Sequence, residues 1–242
     1  MVVRGNFRPT TVVTIDTFKS SFAQFQKEAK STDENSRLLA EIPYEYLVKD
    51  DEVDEKDFLD RTELLAAMGY KVVISDCPNH QGLIDYLADH KVQKLGLVIG
   101  SPEIEEIFQK KYEENKNGRL LVAFGELFTQ NIRVYVYPAK MSKKDKLLTL
   151  DTIDIPEGIK FLFYHLKEQK QIVSVEGFDE KILEIMPGNI FESIGTEGDD
   201  SWEKALPDNL VKVVKEMECF GYKSADNNTK RPKVSSNDAS YY

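Results

Sequence analysis

Two apolar runs constrain this chain more than anything else in it: Lys71-Val72-Val73-Ile74-Ser75-Asp76-Cys77 and Leu95-Gly96-Leu97-Val98-Ile99-Gly100-Ser101. Each is short, ends abruptly in small or polar residues, and leads into a helical pattern. Runs of this kind are read as buried parallel strands of an α/β sheet, with carboxyl ends opening onto a possible site.

The neighbouring sequence repeats the strand-to-helix pattern. Thr10-Thr11-Val12-Val13-Thr14-Ile15 is almost wholly β-branched and is predicted as the first strand, with Asp16 or Thr17 capping a helix that buries Phe18, Phe22, Phe25 and Ala29. Leu38 to Ile42 is predicted as a second strand, confined to an edge or ended by Pro43. In the acidic run Asp50 to Asp57, Asp51 or Asp54 is expected to cap a helix through Phe58, Leu59, Leu64, Leu65 and Met68, with Gly69 at its end. A short helix over Gly82–His90 joins the two organising strands, and Ser101-Pro102-Glu103 reads as the cap and first turn of another. Arg119 to Thr129 reads as helical, and Arg133-Val134-Tyr135-Val136-Tyr137 as the last strand of the sheet.

Beyond the basic stretch Lys140–Lys146 the character changes. Helical pieces are expected over 159–166, 181–186, 190–194 and 210–217, with a small strand at Ile172-Val173-Ser174-Val175. The predicted architecture is a Rossmann-like three-layer α/β sandwich with a mostly parallel sheet over residues 1–140. A mainly helical appendage follows over 150–222, and a basic tail too poor in apolar residues to fold alone over 223–242.

In an open parallel sheet, ligands sit outside the carboxyl ends of the strands where the strand order reverses. On this reading the rim is Asp16, Thr17, Ser75, Asp76, Gly100, Ser101 and Tyr137, with His80 in the nearby loop Cys77-Pro78-Asn79-His80. Asp16 and Asp76 are candidate Mg²⁺ ligands, and helix N-termini after Asp16 and Gly100 would add N–H donors for an anion. Each aspartate is equally suited to capping or turns. Gly96 and Gly100 suit close backbone packing, and neither a P-loop nor a dinucleotide fingerprint occurs. His80 is the histidine best placed for acid–base work, and Cys77 lies beside it in sequence.

Val13-Thr14-Ile15-Asp16-Thr17 followed by Ile74-Ser75 resembles the first two motifs of haloacid-dehalogenase-type phosphatases, in which a strand-end aspartate is the nucleophile. The resemblance implies that role for Asp16. That family carries a second aspartate two residues on, where this chain has Phe18.

A formal charge of −10 over 242 residues argues against nucleic acid and anionic membrane as partners. Two cysteines in unrelated contexts, with no apolar leader over Met1–Pro9, point to reduced thiols and a cytoplasmic protein. The expected function is a binding module for a small anionic ligand or a protein partner, lacking a complete catalytic set. The alternatives are a Mg²⁺-dependent enzyme acting on a phosphorylated small molecule, and a structural assembly subunit.

Overall fold

The computed structural model describes residues 1–49, 52–90, 92–128, 131–140 and 146–223. Six parallel strands form one sheet: β1 (Val2–Arg4), β2 (Leu39–Pro43), β3 (Lys71–Ser75), β4 (Leu95–Gly100), β5 (Ile132–Tyr137) and β6 (Ile172–Ser174), in the order β3-β2-β1-β4-β5-β6. This is the doubly wound, Rossmann-like order, and it reverses between β1 and β4.

Alternation along the interior strands explains why both faces are covered. On β4 and β5, Leu95, Leu97, Ile99, Ile132, Val134 and Val136 face a core built with α3 (His80–Asp89), α4 (Ser101–Asn115), α5 (Leu120–Leu127) and α6 (Lys160–Glu168). Val98, Tyr135 and Tyr137 face the opposite core, where α1 (Val12–Ala29) and α2 (Glu55–Ala67) contribute Phe18, Phe25 and Leu65. A Cβ on Gly96 would lie 2.8 Å from Phe25 Cδ2, so this glycine is where α1 meets the sheet. Gly96→Ala is expected to cost about 1–3 kcal/mol through overpacking. Denaturant unfolding checks it, and an unchanged midpoint would mean that Phe25 turns aside freely.

Several expectations are corrected. Thr10–Ile15 is no strand: Thr11 caps α1, accepting from Thr14 N at 3.4 Å while Thr14 Oγ1 accepts from Thr11 N at 3.4 Å. The helical face Ile15, Phe18, Phe25 overrides the β preference of the branched residues. The true first strand is three residues long and lies earlier, in a segment with too few apolar residues to show a period. β2 is interior, ended by Pro43, and the edge is β3, whose Lys71 and Ile74 are exposed rather than buried. Asp54 caps α2 by accepting from Asp57 N, and Gly69 follows its end with φ +79°.

β5 is not the last strand. β6 pairs with it in register Val134↔Ile172, and Leu150, Ile153, Ile155, Ile159 and Phe163 belong to the main core. Within residues 150–174, Ile172–Ser174 thus extend the sheet and the segment before them packs on its core. The separate helical cluster is α7 (Pro187–Ile194) and α8 (Asp208–Met217), which with Trp202 and Phe220 packs around Leu64 on the outer side of α2. On α6, Phe161, Tyr164 and His165 are exposed. Residues 141–145 of the basic stretch and the tail from 224 lie outside the described residues. Among the described residues no helix is long and apolar enough to cross a membrane.

Candidate functional site

The loop between β1 and α1 carries Asn6 and Arg8 onto a buried ion network on α2. Arg61 pairs with Asp57 on the same helix face and donates to Asn6 Oδ1, while Arg8 Nε reaches Asp57 Oδ1 at 2.5 Å and its guanidinium covers the Phe191 ring at 3.9 Å. Asp60 accepts from Lys56 and from Phe220 N at 2.6 Å. This network fixes the loop and leaves the strand ends beside it to form the site.

Strand register then does most of the assembly. Arg4 stands opposite Glu41, and Pro43 opposite Ser75, so three strands present polar side chains toward α3 and α4. Arg4 Nη2 donates to Cys77 O at 2.6 Å, Arg4 Nε lies 3.6 Å from Glu41 Oε2, and Ser75 Oγ donates to Glu41 Oε1. Glu41 is 1% exposed. Burial raises its pKa, with the Ser75 hydroxyl and the Arg4 charge pulling the other way. Two polar atoms of this pair, Arg4 Nη1 and Glu41 Oε2, are buried and make no hydrogen bond within the protein.

His80 opens α3, the helix that Asn79 caps, and is 8% exposed. Its Nε2 also lacks a partner and sits 3.6 Å from Glu103 Oε1. Burial, then the Arg4 charge, lowers its pKa to about 4, so at neutral pH the contact with Glu103 is not an ion pair. Partial burial raises the Glu103 carboxyl. Beside this cluster a cleft of about 390 Å³ opens between α3 and the β1-β2-β3 side of the sheet. Val2, Leu39, Val73, Leu83 and Leu87 wall it, and Glu41, Ser75, Asp76, Cys77 and Tyr86 also line it.

The predicted rim residues separate into two groups. Ser75 and Asp76 line this cleft, and His80 lies outside its lining, within reach of the Arg4 charge. Asp16 and Thr17 are elsewhere: they lie on α1, where Asp16 Oδ2 accepts from Tyr137 Oη at 2.5 Å and Asp179 N at 3.3 Å, and Thr17 Oγ1 donates to Val13 O. Burial, with the Asp16 carboxylate second, drives the Tyr137 hydroxyl pKa up. Tyr137 ends β5, four places from β3 in the sheet and so about 19 Å away at ~4.8 Å per step. Asp16 and Asp76 therefore do not converge on one cation, and the phosphatase resemblance fails with its strand. No group of three ligating side chains suited to a metal occurs among the described residues.

Gly100, not Ser101, caps α4. Ser101 is fully buried and donates to Leu148 O at 2.8 Å, so the β4 end of the rim is filled by the chain's own segment around Leu148 and Leu150. Around Gly100 itself packing is loose, since a Cβ there would meet nothing closer than Pro102 at 3.7 Å. No hydrogen bond joins Cys77 to His80 among the described residues.

Arg4, Glu41 and Glu103 escaped the sequence reading. Glu41 did leave a signal: it is a charged residue inside the apolar run Leu38-Leu39-Ala40-Glu41-Ile42, and an interior parallel strand has no solvent face to put it on. Neither known protein-family models nor curated protein sequences yield a match to this chain.

Proposed function

We propose that this chain is a binding module that takes a small anionic ligand at the carboxyl ends of β1, β2 and β3, beside the reversal of strand order. The observation that carries this reading is Arg4. Its side chain is 5% exposed, two of its nitrogens face Cys77 O and Glu41, and Nη1 is left without a partner. A buried guanidinium N–H is costly to leave unmade, and an anionic oxygen is its natural complement. The unpaired Nε2 of the neutral His80 adds a second polar atom close by. The rest of the crevice supports binding, since the Ser75 hydroxyl is held by Glu41 Oε1 and, among the described residues, no hydrogen bond joins Cys77 to His80.

Thermal unfolding against orthophosphate, nucleotides and sugar phosphates, with and without Mg²⁺, tests the reading. A ligand at a hundredfold excess over its Kd is expected to add roughly 2.7 kcal/mol and raise Tm accordingly. The shift should vanish in Arg4→Gln, shrink in His80→Gln, and persist in Asp16→Asn, whose carboxylate serves α1 and Tyr137. A shift that survives both site variants, or the absence of any shift, overturns it.

A further inference from the structure

The cleft beside Arg4 has a chemistry of its own, and from it we propose that it takes a small apolar or aromatic molecule bearing an amino group, with the amino N–H directed at Glu41 Oε2. This rests on the β1-β2-β3 crevice being a ligand site, and it extends that site by a second, chemically opposite half.

The walls set the first requirement. Val2, Leu39, Val73, Leu83 and Leu87 give an aliphatic lining, and about 390 Å³ accommodates a substituted six-membered ring. The polar groups set the second. Glu41 is 1% exposed and its Oε2, with Arg4 Nε 3.6 Å away, accepts no hydrogen bond, so the cleft wall holds a buried acceptor with its hydrogen bond unmade. Ser75 has already spent its proton on Glu41 Oε1 and itself accepts from Cys77 N, and Asp76 adds a further acceptor at the exposed mouth. Among the described residues no lysine or arginine lines the cleft, and its one strong side-chain donor not already used is the Tyr86 hydroxyl, on a residue exposed at the lip. A carboxylate or phosphate in the cleft would meet Glu41 and Asp76, while Arg4, outside the cleft lining, already faces Glu41. An N–H donor, neutral or cationic, satisfies the orphaned oxygen and suits the negative surroundings. A ligand combining an anionic group with an amino-bearing body would occupy both halves, the anion on Arg4 and the body in the cleft.

The test compares four probes of one shape: benzylamine, benzamidine, benzyl alcohol and benzoate, titrated into the full chain while backbone amide shifts are followed by NMR. Benzylamine and benzamidine should move the amides of Ser75, Cys77 and Leu83 and bind at least tenfold more tightly than benzyl alcohol, with benzoate leaving those amides unmoved. Leu87→Trp, which fills the cleft from a half-buried helix position, should abolish amine binding. Asp76→Asn, at the exposed mouth, should weaken it, and Glu41→Gln should bring benzylamine down to the affinity of benzyl alcohol. Benzoate binding as well as benzylamine at these amides, amine binding unaffected by Leu87→Trp, or no movement of these amides with any probe overturns the proposal. Anions that still stabilise the chain through Arg4 in that event would leave the anion reading standing. Amine binding without any anion effect would do the reverse.

Discussion

Arg61→Ala is expected to lower folding stability by about 3–5 kcal/mol, the cost of removing one partner from a buried ion pair. Arg61 is 3% exposed, its guanidinium joins Asp57 to Asn6, and Asp57 is itself buried. Alanine would leave the carboxylate with Arg8 alone and release the loop that follows β1. The comparison that isolates the cause is Asp57→Leu/Arg61→Leu, which removes both charges and fills much of the volume. It should recover most of the loss, because well-packed apolar groups replace a buried pair at little cost. Urea midpoints at neutral pH decide it. A loss below about 1 kcal/mol in Arg61→Ala would show that the network is solvated in solution and does not hold the loop.

The second large effect is a pH dependence centred on His80. Burial, with Arg4 behind it, takes its pKa from 6.5 down to about 4. Between those values the unfolded chain holds the proton and the folded one does not, so stability is complete above pH ~6.5 and falls as the pH drops, with roughly 3 kcal/mol lost by pH ~4. Glu41 and Glu103 act in the opposite sense, because burial raises their carboxyl pKa and the folded state then gains on protonation. The wild-type profile is therefore a partial cancellation, and the histidine contribution is read by difference. Relative to wild type, His80→Gln should gain about 2–3 kcal/mol between pH 7.5 and 4.5. A difference that stays constant across that range would mean the imidazole is solvated and titrates as it does in the unfolded chain.

How far the sequence discloses this molecule depends on how many neighbours each element needs to make sense. β4 and β5 are interior, apolar and long enough to be read from their own residues. β1 is Val2–Arg4, and three residues carry no period; it is a strand only because β2 and β4 flank it. Thr11–Ile15 shows the converse failure, a local β preference overruled by the helical face that Ile15 shares with Phe18 and Phe25. The site divides in the same way. Ser75, Asp76 and His80 were legible because they follow a recognisable strand. Arg4 and Glu103 were not, because only the β1-β4 adjacency and the α4 packing bring them to His80. Asp16 was misplaced for one reason alone: moving the strand boundary turned a strand end into the second turn of a helix.

The contacts of the β1–α1 loop carry a consequence for biosynthesis. Arg8 rests on Phe191, and Asp60 of the helix that anchors the loop is bound by the Phe220 amide, 160 residues further along. A chain emerging from the ribosome exposes the loop early but cannot supply those partners until Phe191 and Phe220 have left the exit tunnel. The nascent sheet therefore waits, with the ion network on α2 open on one side and Leu64 uncovered, until the segment from α7 to Phe220 is made. Contacts this distant in sequence close late and slow the final step. Stalled chains ending before α7 should consequently be cut by protease in the loop around Arg8, whereas chains extending past Phe220 should resist.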